Sequence, residues 1–300
     1  MSASSDRHAT ILATLSMIGS AACWGGATVM SRDLLGHFSP PALLVIQLIA
    51  SVLALVILSI PHRPWTHLSP ALGKASLTGV LEPGLTYSIG LWGLSLTSAG
   101  SASIISSTEP IFIFFLAWLI FRNKPTSKLS LCILIAVVGL MFVSYDSALT
   151  EADKSLAGDM LIVLSTAFAA SYVVFSSKLA EKFPAAVLAS GQQVVGLLCA
   201  LIIYSVARFF GTISENILNI SPGVLIYAAS SGVVQYALAF WLYLIGLKHL
   251  SPSAAGLWLT LVPVFGVVGA YFWLGEVPTP LMLLGMVLIV GAVTVGHQEK

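Results

Sequence analysis

The feature that most constrains this chain is a series of apolar runs with almost no charge inside them. They fall near residues 10–31, 41–60, 72–94, 100–121, 129–146, 158–178, 185–208, 222–246, 252–274 and 280–297. A run of about 20 apolar residues is long enough to cross roughly 30 Å of hydrocarbon as a helix. In lipid the backbone must satisfy its own hydrogen bonds, which leaves helices or closed barrels. The runs are continuously apolar and do not alternate over about ten residues, so a barrel is excluded. Only 8% of the 300 residues are charged, 13 basic and 12 acidic, against about 25% in soluble domains. That is too little to make a water-exposed surface. The net charge of +1 provides no phosphate-tracking patch, so no nucleic-acid partner is expected. Cys23, Cys132 and Cys199 all lie within apolar runs and have neither disulfide nor metal spacing. No metal and no cofactor is expected. The partners implied are the lipid bilayer and a small-molecule substrate, and the oligomeric state is left open.

The runs are separated by short breaks rich in Pro, Gly and polar residues, such as Ser39-Pro40-Pro41, Ser221-Pro222-Gly223 and Pro278-Thr279-Pro280. The first run has no convincing cleavage site and reads as a helix, not a signal peptide. Lys and Arg set the orientation. Arg7, Arg63, Lys74, Arg122, Lys124, Lys128, Lys178, Lys182, Lys248 and Lys300 fall on one side, and Arg32, Lys154 and Arg208 on the other. Ten against three predicts both termini on the cytoplasmic side of the cell (inner) membrane. No cation is expected near the midplane.

The chain can also be laid on itself. At an offset of 145, Ser20 falls on Ser165, Ser31 on Ser176 and Gln47 on Gln192. Further along the offset is 153, and Gly79 falls on Gly232, Glu82 on Gln235, Pro110 on Pro263 and Pro125-Thr126 on Pro278-Thr279. The expected fold is therefore an all-α membrane protein with ten transmembrane helices as two inverted five-helix repeats, 1–147 and 148–300. An odd number of helices per copy inverts the second copy in the membrane. Inverted repeats around a midplane site are a recurring plan of secondary transporters.

The sequence resembles the EamA family of the drug/metabolite transporter superfamily over nearly its whole length. The resemblance rests on the five-plus-five pattern, on Ala22-Cys23-Trp24-Gly25, on Glu109-Pro110, and on Pro263 followed by Trp273-Leu274-Gly275-Glu276. The family often has Gly-Glu after both the fourth and ninth helices. Here the first copy reads Phe121-Arg122-Asn123-Lys124 and lacks the acid. Within the family the chain looks most like YddG-type exporters of aromatic amino acids. The resemblance implies an alternating-access exporter of amino acids and related metabolites, with no enzymatic activity.

Glu82 and Glu109 are the outstanding candidates for a site. Each lies about ten residues into its run, roughly 15 Å deep at 1.5 Å per residue. A carboxylate at that depth costs roughly 3 kcal/mol on insertion scales and usually faces a bundle interior or a wet cavity. Glu82 lies on a stripe with Gly79, Thr86, Gly90 and Gly93, which predicts one closely packed helix face. It would bind a substrate ammonium, carry a proton or form a structural hydrogen bond. Both acids precede proline, which frees the carbonyl four residues earlier; with Pro263 this concerns Gly79, Ser106 and Leu259. Gln235, the repeat partner of Glu82, would put an amide on the opposite wall. Trp258 lies one turn from Val262, the repeat partner of Glu109, and is expected to face the same region. Tyr87 and Trp24 complete the substrate-binding candidates, for which packing or interface anchoring is the competing reading. Gln47 and Gln192 read as interhelical hydrogen-bonding residues.

Two rival readings stay open. A cationic drug/proton antiporter needs a deep acid, and the chain has one. An intramembrane enzyme would need a His-Glu-x-x-His helix, a deep His to pair with a Ser, or a deep Asp pair, and the sequence contains none of these. Phosphorylated substrates would call for a cavity Lys or Arg.

Overall fold

The computed structural model describes residues 2–96, 105–122, 126–149, 156–211, 213 and 220–296, and among them there is no strand. The helices are α1 (Ser2–Leu34), α2 (Pro40–Ser59), α3 (Pro70–Ser76), α4 (Thr86–Leu96), α5 (Glu109–Phe121), α6 (Ser127–Leu149), α7 (Leu156–Ala180), α8 (Ala185–Phe209), α9 (Pro222–Gly232), α10 (Ala239–Leu247), α11 (Pro252–Leu259), α12 (Val262–Leu274) and α13 (Pro280–Gly296). A π-helical turn, Val80–Leu85, joins the α3 region to α4, and another, Val233–Leu238, joins α9 to α10. Among the described residues seven stretches are long and apolar enough to cross a membrane, including Pro40–His62, Ala185–Phe209 and Pro222–Leu247. The helices Glu109–Phe121 and Pro280–Gly296 are apolar but shorter. The chain is a multi-pass, all-helical membrane protein. The expected run at 100–121 begins among residues outside those described.

Helix starts follow local chemistry. Ser69, Ser221 and Ser251 each precede a proline at the first helical position. Their hydroxyls accept from the backbone N–H of Leu72 (3.3 Å), Val224 (3.4 Å) and Ala254 (3.3 Å). The hydroxyl satisfies an N–H that has no helical partner, and the proline lacks the N–H that would otherwise be orphaned.

Four expected helices depart from a single α-helix: 72–94, 222–246 and 252–274, and 100–121, which turns at Ser107-Thr108 ahead of Pro110. The run 72–94 is interrupted where Glu82 adopts an extended backbone (φ −145°, ψ 126°) before a cis bond to Pro83. The run 252–274 breaks at Thr260-Leu261, ahead of Pro263. The run 222–246 contains no internal proline yet widens to a π turn, in which the Ala239 N–H reaches the Val234 carbonyl. The stripe on the third run is divided accordingly. Gly90 and Gly93 press against Ser165 and Ile162 of α7, and Gly79 presses against α8 at Gln192. Glu82 leaves the stripe because the π turn shifts its register.

Packing is reciprocal across the chain. The helix α1 packs on α10 and α12, and α7 packs on α4 and α5. Pairs form between α2 and α8 and between α6 and α13. The π turn Val233–Leu238 also rests on α2, and the π turn Val80–Leu85 on α8. Two amide clasps cross these contacts. Gln47 Nε2 donates to Ser31 Oγ and to Ser231 Oγ, both at 2.9 Å. Gln192 Nε2 donates to Ser176 Oγ at 3.1 Å and to Thr78 Oγ1 at 2.7 Å. Gly79 and Gly232 let the backbones meet at these clasps; a Cβ on either would strike the main chain of Gln192 or Gln47. Tyr172, Phe240 and Tyr243 are the largest fully buried side chains of the interior.

Candidate functional site

A cavity of about 420 Å³ lies inside the bundle, within the range of small-molecule sites. The helix α1 contributes Trp24, Gly25 and Thr28. The first π turn brings Glu82 and α4 brings Tyr87, while the approach to α5 supplies Ser106, Ser107, Glu109 and Pro110. Opposite them, the second π turn contributes Gln235, α10 contributes Tyr243, and the break between α11 and α12 contributes Leu259, Thr260, Val262 and Pro263. Leu140 and Ser144 of α6 and Val173 of α7 complete the wall, with Gly266 of α12. The walls thus consist largely of interrupted helices, where the backbone itself offers polar groups.

Proline chemistry decides which carbonyls these are. Pro110 and Pro263 carry no N–H, so Ser106 and Leu259 lose the helical donor four residues on. Both residues line the cavity. Free carbonyls at membrane depth are tolerated where they border a cavity. Gly79, the third carbonyl expected to be freed, lies instead against α8.

Glu82 and Glu109 are within electrostatic reach of one another, and the phenol of Tyr87 neighbours Glu82. No Lys, Arg or His lines the cavity among the described residues. Aromatic rings close its sides. Trp24 meets Phe240 and Tyr243 edge-on at centroid separations of 5.0 and 5.4 Å, and Tyr87 meets Tyr236 at 5.2 Å. Gln235 is held from behind, where the Ser31 hydroxyl donates to its Oε1 at 2.8 Å. An acidic, aromatic-walled chamber with one fixed amide suits an organic ammonium with an apolar side chain.

Of the six residues singled out in the sequence, Glu82, Gln235, Tyr87, Glu109 and Trp24 surround this one cavity. Trp258 does not line it and lies in the apolar core, 5% exposed. The helical spacing that pointed it toward Val262 assumes an unbroken helix. The break at Thr260-Leu261 changes the register and puts the Leu259 segment at the wall instead. Sequence reasoning missed Tyr243, Thr28 and Val173. Thr28 falls one turn after Trp24, and Val173 is its partner at the offset of 145. Tyr243 comes eight residues after Gln235, a same-face helical spacing. Gln47 and Gln192 make the interhelical hydrogen bonds expected of them.

A multi-helix membrane bundle around a cavity that sets two acids and an amide among apolar walls is an architecture suited to transport. Residues 11–145, and again residues 156–295, match the model of the EamA-like transporter family. The chain belongs to that family and is a membrane transporter. The uncharacterized transporter YdfC of Bacillus subtilis is 23% identical over 273 residues, covering 90% of this chain and 86% of the relative. The B. subtilis transporter YetK is 26% identical over 84% of this chain and 76% of its own length. An Archaeoglobus fulgidus transporter is 26% identical over 89% of this chain and 94% of its own. A solved crystal structure superimposes with a TM-score of 0.80 over 94% of this chain and 95% of that one, at 16% identity, and shows the shared fold alone.

Proposed function

We propose that this protein is an alternating-access secondary transporter that exports neutral amino acids, aromatic ones among them, and related metabolites across the cytoplasmic membrane. In this reading ten helices form two inverted repeats, 1–147 and 148–300, with both termini cytoplasmic. The observation that carries it is the chamber itself, where two carboxylates and a fixed amide sit among aromatic rings. Reciprocal packing supports the repeat reading. The π turns Val80–Leu85 and Val233–Leu238 lie 153 residues apart, as do the helices α5 and α12. The two Gln clasps are related by the offsets of 145 and 153 found in the sequence. Two similar bodies joined by such contacts can rock about a central site.

Glu82 is the residue we assign to the substrate ammonium, with Glu109 beside it. The carboxylate acts as a charge-assisted acceptor in a low-dielectric site. Tyr87, with the apolar wall at Leu140, Val173 and Val262, would hold the apolar side chain. The absence of a cation among the described lining residues favours one other reading, a cationic drug/proton antiporter.

Counterflow in proteoliposomes containing only the purified protein tests the proposal. Vesicles loaded with unlabelled phenylalanine should accumulate labelled phenylalanine transiently, and empty vesicles should not. Uptake of a lipophilic cation that requires an imposed pH gradient, with no amino-acid counterflow, would replace the proposal with the antiporter.

A further inference from the structure

Buried polar side-chain atoms rarely go unpaired in native proteins, and each one calls for an explanation. Among the described residues four such atoms have no partner: Trp24 Nε1, Ser88 Oγ, Tyr227 OH and Tyr243 OH. Two of the four belong to residues that line the chamber. Trp24 is 9% exposed and Tyr243 is 1% exposed, and their rings touch at a centroid separation of 5.4 Å. The indole N–H can only donate, and the phenol can donate as well. Two neighbouring residues of the chamber wall thus carry desolvated donors that bind nothing of the protein.

A third donor on the same chamber wall is oriented by a pair of hydrogen bonds. Gln47 Nε2 donates to Ser31 Oγ at 2.9 Å, and the Ser31 hydroxyl donates in turn to Gln235 Oε1 at 2.8 Å. With its oxygen occupied, Gln235 offers the chamber its NH₂ group. Ser31 itself does not line the cavity, so it is a positioning residue.

We infer that Trp24, Tyr243 and Gln235 form a carboxylate subsite, and that the chamber therefore selects zwitterionic α-amino acids over the corresponding amines. This deepens the proposed function and rests on it. An α-amino acid carries its ammonium and carboxylate on one carbon, so donors and acceptors must adjoin. Here the acids Glu82 and Glu109 and the donors Trp24, Tyr243 and Gln235 all belong to the wall of one chamber. Neutral donors can serve a carboxylate because hydrogen bonds to an ionised acceptor are about twice as strong as neutral ones. A decarboxylated amine would satisfy the acids and leave the donors unpaired.

The test is calorimetric binding to the full chain in nanodiscs, with a panel of neutral amino acids and their decarboxylated amines, phenylalanine and phenethylamine among them. The wild type should favour the amino acids. Tyr243→Phe and Trp24→Phe should each weaken amino-acid binding about tenfold, the usual effect of losing one hydrogen bond to a charged group, and change amine binding less than twofold. Ser31→Ala should shift the same ratio, and Ser31→Thr should restore it, which keeps the test open should a ring variant fail to fold. Equal weakening of both series, or an unchanged ratio in all variants, overturns the subsite and leaves the transporter reading intact. A wild type that prefers the amines also overturns it and favours the cation reading. Binding of neither series contradicts the proposed substrate class, and the subsite with it.

Discussion

The π turns Val80–Leu85 and Val233–Leu238 occupy corresponding places in the two halves of the chain, and they differ in chemistry. Each rests on the helix that carries a buried glutamine, and each brings its third residue to the chamber. In the first turn that residue is Glu82, held with an extended backbone ahead of Pro83. In the second it is Gln235, on a continuous turn without proline and tied to Ser31. The same asymmetry recurs one helix later, where Glu109 begins α5 and Val262 begins α12. The mechanical parts are duplicated, while both acids come from the first half. In the proposed mechanism a frame of two similar bodies would supply the motion, and the unequal residues at its centre would give the substrate a fixed polarity.

The largest effect should come from abolishing that inequality. Glu82→Gln makes the two turns alike, and counterflow should fall about tenfold to a hundredfold, as for a lost hydrogen bond to a charged group. Membrane expression should be unchanged. Full activity in this variant would remove Glu82 from the site. Glu109→Gln should cost less than Glu82→Gln if Glu109 only supports the charge.

The next comparison concerns the frame. Gly79→Ala and Gly232→Ala each force a Cβ into the facing glutamine backbone. Each should destabilise the protein by about 1–3 kcal/mol through overpacking, read as thermal unfolding in detergent. A collapse at one position with tolerance at the other would break the proposed equivalence. Gln47→Leu and Gln192→Leu should cost less, about 0.6–1.7 kcal/mol each, the range measured for interhelical hydrogen bonds in membranes. Gln47→Leu alone should also weaken amino-acid binding, since only that clasp leads to Gln235.

The smallest effect is expected at the helix ends. The helix α5 terminates at Arg122 with φ 55°, and α12 terminates at Gly275 with φ 70°. A left-handed conformation costs a non-glycine residue about 1 kcal/mol. Arg122→Gly should therefore stabilise the protein by about that amount and Gly275→Ala should destabilise it, both measured by thermal unfolding.

Long helices were legible because their ends are written in Ser and Pro. The run at 41–60 became Pro40–Ser59, and that at 185–208 became Ala185–Phe209. The interruptions at Glu82 and Thr260-Leu261 were signalled by Pro83 and Pro263. No residue signals the interruption at Val233–Leu238, and only its correspondence to the first turn points to it. Trp258 does not reach the chamber because the helix along which its position was counted stops at Thr260-Leu261. Helical spacing predicts which face a side chain occupies only while the helix continues, and the chamber is built where helices stop. Orphaned donors such as Trp24 Nε1 depend on what surrounds them in space, which a linear sequence does not record.

The most direct test of the central claim, that the chamber is the alternately exposed transport site, is accessibility at Val262, the position that corresponds to Glu109. Cys23, Cys132 and Cys199 would be replaced, a single cysteine introduced as Val262→Cys, and the protein reconstituted into sealed vesicles. A membrane-impermeant maleimide should then reach position 262 from either side of the membrane, and substrate should slow the reaction from both. Labelling from one side only, unaffected by substrate, would contradict an alternating-access site at this chamber.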